Sequence, residues 1–493
     1  MSNTWSDVSH PLTTPDPRRW MMLPVILSAT FMALFDFFVV NVAAPSLEHD
    51  LNAGQAALEL IVGGYAFTYA SGMVTGGRLG DLFGYRRLFL GGMAAFTFAS
   101  LLCGLAQSPG QLVAARLLQG LTGAAMVPQV LALITATFPA EERPRAMSWF
   151  GVTAGIGSIA GQVLGGLLLD ADLFGLGWRV IFLINVPVGL AALVFAARLL
   201  PHHRASQRPR LDPLGATGIS GSLALVLVPL ILGREEGWPA WTWVSLALAL
   251  PVLVATLRWE LRLARRGGEP LLDLTLFRNR AFAAGLPVNV AFMGFFGSFM
   301  FVMTLLLQGG LGLSPLEAGL TFLPLGVLFS VTSILGRTLV ARYGLRVMTA
   351  GASISGLGLV VLIVELQELG GAITPAWLLI PTSLVGLGNG LVLPTLIGAV
   401  LAGIQPSHGG AAAGVLTTTQ QFASAAGVAV LGAVFFSGLG VRPSRADFAG
   451  STEAVTFLAL ALVLIAAALT LLLPRPAALP RRASEPEVLA EAA

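Results

Sequence analysis

Asp36 stands in the stretch FDFFVVN (35–41), inside a run from Trp20 to Ala44 that is almost wholly apolar. A carboxylate there has two uses. It can pair permanently with a buried donor and hold helices together, or it can gain and lose a proton as its surroundings change. Spacing singles out Arg116 as its partner. Asp36 lies about 15 residues into its apolar segment, roughly 22 Å along a helix at 1.5 Å per residue. Measured from the far end of their segments, Asp36 and Arg116 lie within a turn or two of each other in depth. Ionisable groups inside a membrane are costly and are as a rule functional, so the proton-handling use outweighs the structural one. Asn41, further along the same run, reads as a bond between helices or a cavity residue.

The elements that would position this pair follow from composition. The chain has 493 residues, of which 55% are hydrophobic and 11% charged, with a mean hydropathy of +0.82. A soluble protein carries about a quarter charged residues. A span needs roughly 20 mostly apolar residues. Fourteen segments qualify, near 21–45, 57–76, 88–107, 111–137, 147–169, 178–200, 213–233, 240–258, 281–307, 315–336, 347–366, 376–402, 411–438 and 452–473. Backbone groups in lipid must be satisfied within the segment, so these are expected as helices. The expected architecture is an all-α integral membrane protein.

All 28 basic residues are Arg. With crossings alternated from the N-terminus, most fall on the N-terminal side, among them Arg18, Arg86, Arg143, Arg265 and Arg346. Arg234, Arg442 and Arg445 fall opposite. This asymmetry predicts that both termini are cytoplasmic, and the expected location is a bacterial inner membrane. The chain divides into a cytoplasmic segment 1–20, a six-helix group 21–200, a linker 201–280 with two extra spans, a second six-helix group 281–473 and a disordered tail 474–493.

Several chemistries are excluded or unsupported. A net charge of +3 gives no case for nucleic acid, and one cysteine, Cys103, rules out an internal disulfide and Cys-based metal sites. Without lysine there is no Gly-Lys-Ser/Thr phosphate loop, so ATP drive is not expected. His202 and His203 read as solvated, not as metal ligands. No nucleophile–base arrangement suggests an enzyme, and no cofactor is expected.

An internal repeat links the two six-helix groups. GGRLGDLFGYRRLF (76–89) aligns with LGRTLVARYGLRVM (335–348), Gly84 on Gly344, although Asp81 meets Ala341. Parallel six-span repeats are a transporter signature, with the substrate site at their interface. GGRLGDLFGYRR resembles the loop motif of the major facilitator superfamily. RLLQGLTGAA (116–125) and GVTAGIGSIAGQVLGG (151–166) are similar to its fourth-span motif and to the fifth-span motif associated with antiporters. FDFFVVNVAAPSL (35–47), WRVIFLINVPVG (178–189), SPLEAGLTFLP (314–324) and GAAAGVLTTTQQFASAAGVAVLGAVF (410–435) are similar to its fourteen-span drug–proton antiporters. Gln162 departs from the Pro of many members, and TTTQQ (417–421) from a common Arg.

The resemblance implies two six-helix bundles plus two inserted helices. It implies export of amphipathic drugs or secondary metabolites against protons by alternating access, with Asp36 and Arg116 coupling the proton. Gly77, Arg78, Gly80, Asp81, Gly84 and Arg87 would form a gate, Gly80 and Gly84 permitting a tight turn and Asp81 contacting the second bundle. Gly155, Gly161 and Gly165, at small-residue spacing, would let the fifth span meet that bundle closely. Asn41, Gln119, Gln162, Phe292, Phe296, Met300 and Gln308 are candidates for a soft, aromatic substrate cavity, although Phe and Met face lipid as readily. The expected partners are an amphipathic small molecule, protons and the bilayer, for a monomer. A dedicated metabolite exporter, a proton symporter, and a non-transporting sensor or scaffold remain alternatives.

Overall fold

The computed structural model describes residues 17–474 apart from 140, 202–211, 234–235, 269, 273, 402–403, 405–408 and 441. The expected terminal tail, His202 and His203 therefore lie outside the described residues, as does most of the N-terminal segment. Among the described residues the secondary structure is helical throughout. The first group comprises α1 (Arg19–Leu51), α2 (Gln55–Phe83), α3 (Tyr85–Leu105), α4 (Pro109–Met126), α5 (Pro128–Thr137), α6 (Arg143–Asp170), α7 (Val180–Leu183) and α8 (Asn185–Leu199). Then come α9 (Pro213–Leu232) and α10 (Ala240–Arg265). The last group is α11 (Arg280–Leu305), α12 (Pro315–Thr321), α13 (Leu323–Tyr343), α14 (Arg346–Leu369), α15 (Pro375–Leu401), α16 (Gly409–Gly438) and α17 (Arg445–Thr470).

Thirteen segments among the described residues are long and apolar enough to cross a membrane. The fourteenth expected span is α2, whose 29 residues extend about 43 Å alongside α4 and α16. The helices overrun the apolar segments: α1 runs to Leu51 and α2 to Phe83. Three spans are broken near a proline, which lacks the N–H that the carbonyl four residues earlier would accept. Pro128 separates α4 from α5, Pro187 follows the break between α7 and α8, and Pro324 follows that between α12 and α13. A π turn, Leu306–Gly310, closes α11.

The α1–α8 helices pack among themselves, as do α11–α17. The two groups meet along a seam formed by α2 with α16, α6 with α12 and α13, and α1 with α11. The α9 helix lies on both α2 and α16, burying Leu227 and Ile231 beside Ala56, Ala66, Ala425 and Ala429. The face where α1 begins is here the N-terminal face, and the opposite one the far face.

The repeat reappears as geometry. Gly84 ends α2 at φ 90° and Gly344 ends α13 at φ 65°, conformations that side chains other than hydrogen disfavour. Gly80 is not part of that turn. It lies within α2, where an added Cβ would strike the Gln129 side chain, and Asp81 is likewise helical rather than in a loop.

Candidate functional site

Asp36 and Arg116 are both fully buried and form an ion pair. Helix α1 delivers the carboxylate and α4 the guanidinium. Arg116 Nη1 donates to Asp36 Oδ2 and, at 2.6 Å, to Gln119 Oε1. Its Nε donates to the Ile61 carbonyl of α2 at 3.0 Å. Gln119 Nε2 donates to Asp36 Oδ1 at 2.8 Å and to Ser100 Oγ at 2.8 Å. Asn185 Nδ2 reaches the same Oδ1 at 3.1 Å. The guanidinium carbon lies 4.3 Å from the centre of the Tyr65 ring, a cation–π contact. Arg116 Nη2 makes no hydrogen bond within the described structure.

Three donors on two helices thus hold one buried carboxylate on a third. Low-dielectric surroundings strengthen each bond and make the loss of any one costly. A relative shift of α1 against α4 and α8 would change the count of donors on Asp36, and with it the ease of protonation.

Sequence reasoning placed Gln119 in a substrate cavity; it belongs to this cluster. Asn185 was missed, although beyond Arg179 it is the polar residue in the apolar stretch WRVIFLINVPVG. It reaches Asp36 because the helix restarts at Asn185. Asn41 bonds its own helix, at Phe37 O and Phe38 O, and not another one.

The seam lies on the other side of α1. Phe38 meets Phe296 of α11 at 6.3 Å between ring centres. Gln308 Nε2, on the π turn, donates to Val42 O of α1 at 2.7 Å. Gln308 is therefore a cross-strut rather than a cavity wall. Thr418 of α16 donates to Ala70 O of α2 at 2.8 Å. Phe292 and Met300 are buried in the core of the second group, Phe292 against Phe295. Phe296, half-buried, is the one of the three aromatic and Met candidates that reaches the seam.

The glycines of α6 divide between two partners. An added Cβ at Gly161 would lie 2.8 Å from Phe35 O, and one at Gly165 would strike Val39, so these two serve α1 within their own group. Gly155 faces Ser330 of α13 at 3.7 Å, and Gly166 abuts Pro315 of α12. Gly319 returns the approach, with Gln162 O at 2.6 Å. The Gln162 side chain is buried and both its polar atoms lack partners. These cross-links run from mid-helix to the far face, while Gly151, nearer the N-terminal face, meets nothing within 4 Å. A cleft of about 310 Å³ opens on the far face between Pro45, Ser46, Trp178 and Pro315.

At the N-terminal face, Arg78 donates to Pro270 O beyond α10. Gly77 faces Pro128 at 4.0 Å, and Arg87 is exposed.

Comparison with known proteins bears on this architecture. The sequence profile of the Major Facilitator Superfamily matches residues 26–428. The chain is 41% identical over 449 residues to the "Probable actinorhodin transporter" of Streptomyces coelicolor, covering 91% of this chain and 78% of that one. It is 35% identical over 470 residues to the cephamycin export protein of Amycolatopsis lactamdurans, covering 92% of each. Among solved structures, an auto-inhibited POT family peptide transporter superposes with a TM-score of 0.66 at 19% identity, covering 92% of this chain and 96% of the other. A bacterial homologue of the lysosomal transporter Spinster, inward-facing and occupied, gives 0.64 at 16%, covering 92% and 97%. At those identities the two structures speak for the fold alone. With the profile spanning most of its length and its relatives named as transporters rather than enzymes, the chain belongs to the Major Facilitator Superfamily and is a multi-pass membrane transporter.

Proposed function

We propose that the protein exports amphipathic antibiotics or other secondary metabolites in exchange for protons, with Asp36 as the proton carrier. The observation that carries this reading is the double engagement of α1. One side holds Asp36 against Arg116, Gln119 and Asn185. The other side forms the seam through Phe38 and Val42. Opening the seam removes the contacts that Phe296 and Gln308 make with Phe38 and Val42, which leaves α1 free to shift within its own group against α4 and α8 and so to rearrange the donors on Asp36. The proton gradient is the drive, and no cofactor takes part.

The arginine asymmetry supports an inner-membrane placement with the N-terminal face toward the cytoplasm. The linked far-face half then corresponds to a state sealed from outside. Residues 21–200 and 281–473 act as the two rocking bundles, with residues 201–280 as linker, and the protein works as a monomer. Phe296 and Phe38, which meet across the seam, with Phe31 stacked on Phe35 along the same helix as Phe38, supply an apolar, aromatic wall for substrate.

Inside-out vesicles test the reading. With the lumen acidified, cationic and neutral amphipathic compounds are added and lumenal pH followed. Proton release by wild type and its loss in Asp36→Asn is the expected result. An equal response in both would remove Asp36 from the proton path.

A narrower reading, a pump for one endogenous product, is favoured by the names of the two relatives described above, each given for a single compound class, although other relatives are named as multidrug proteins. A response to one scaffold and to no unrelated amphiphile would select it.

A further inference from the structure

We propose that the exposed face of α10 is a binding site for anionic phospholipid in the leaflet on the N-terminal face. Helix α10 touches the rest of the protein through one side only. Ser245 donates to Leu225 O of α9, Thr256 lies against Gly218, and Trp259 Nε1 donates to both oxygens of Asp212 at 3.2 and 3.1 Å. The opposite side exposes Trp243, Leu250 and Val254, a strip suited to acyl chains.

Where that strip reaches the N-terminal face it becomes basic. Arg258, Arg262, Arg265 and Arg266 are all exposed, at helical spacings of four, three and one. Residues three and four apart share a helix face, so Arg258, Arg262 and Arg265 continue the apolar strip, and Arg266 caps the helix beside them. The acid on this turn, Glu260, is fully buried on the α9 side, where an added Cβ at Gly215 would strike it. It therefore leaves the stripe uncompensated from its own helix. The favourable field of a helix C-terminus fades within the last turn, so it accounts for Arg262 and Arg265 but not for Arg258. A guanidinium row directly beneath an acyl-chain surface matches a phosphate headgroup attached to its own chains, and free phosphate has no use for the apolar strip.

The site has a route to the gate. Leu272 N donates to Glu260 Oε2 at 3.4 Å, and the Pro270 carbonyl accepts from Arg78 of α2. Headgroup engagement thus bears on the segment tied to the end of α2.

Full-length protein in nanodiscs of phosphatidylcholine, with or without phosphatidylglycerol, provides the test. Retained lipid is read by native mass spectrometry. Each arginine near an anionic surface contributes about a fivefold preference. Replacing all four with Gln should lower the preference for phosphatidylglycerol at least about tenfold, while the four Arg→Lys replacements keep most of it. The paired variant Arg265→Gln/Arg266→Gln serves if the fourfold Gln variant inserts poorly, and the wild-type preference should fall as salt rises. A preference that survives the Gln replacements, or matching stabilisation of wild type by inorganic phosphate, would overturn the proposal.

Discussion

Gln308 donates to the Val42 carbonyl at 2.7 Å across the seam, from the one π turn among the described residues. Extra residues in a helical turn rotate the side chains that follow, and π turns recur at functional positions. Here the turn delivers an amide to a backbone acceptor on the opposite group. A hydrogen bond of this kind contributes about 1 kcal/mol net, or roughly fivefold in a population. Gln308→Leu should therefore open the far-face half about fivefold more often. A cysteine in place of Ala425, which lies against Gly63 in the seam, reports this through labelling by an impermeant maleimide. Unchanged labelling would show that the strut does not set the balance.

Two glycines on α6 predict different failures. Gly161 packs on α1 within its own group, and Gly166 on Pro315 across the seam. Gly161→Ala overpacks a core and should cost about 1–3 kcal/mol, seen as a lower melting temperature. Gly166→Ala should melt near wild type yet fail to close the seam, raising Ala425→Cys labelling and lowering transport. Equal melting losses in the two variants would contradict this division.

Arg116→Lys keeps the charge and loses the fork. A lysine ammonium cannot reproduce the bonds of Nε to Ile61 O and of Nη1 to Asp36 and Gln119 together. Hydrogen bonds to charged groups contribute about 1.5–3 kcal/mol. Transport should fall about tenfold or more, with a lower melting temperature. Wild-type transport in this variant would make the guanidinium geometry dispensable.

Glu142 ties the start of α1 to the start of α6. Arg19 donates to its two oxygens at 2.8 and 2.7 Å, which holds its pKa below the ordinary 4.5. A lowered carboxyl pKa gives stability that is present above the unfolded value and lost as pH falls through the folded one. The melting difference between wild type and Glu142→Gln should therefore be largest near neutrality and shrink as pH falls below the unfolded carboxyl value of about 4.3. The pair is partly exposed, so the difference is expected to be small. A difference that grows on acidification would contradict the assignment.

Depth along a span is readable from sequence, and it brought Asp36 and Arg116 together correctly. Rotation about a span axis is not, because nearly every face of these helices is apolar. That is why Gln119 was sent to a cavity, Asn185 was passed over, and Gly161 was assigned to the seam when it faces α1. Helix ends beyond the apolar run were also hidden, which turned Gly80 and Asp81 into a loop. The repeat, by contrast, was visible because Gly84 and Gly344 answer a backbone demand that few residues meet.

Cys103 is fully buried, with its Sγ 3.5 Å from Gln119 Oε1 beside the Asp36 cluster. The chain thus carries its own silent thermometer. A thiol-reactive fluorogenic dye will stay dark through the transport cycle and light up when the first helical group melts. Inserted cysteines can be read in the native background, and heating the same sample dates the collapse of the Asp36 cluster itself.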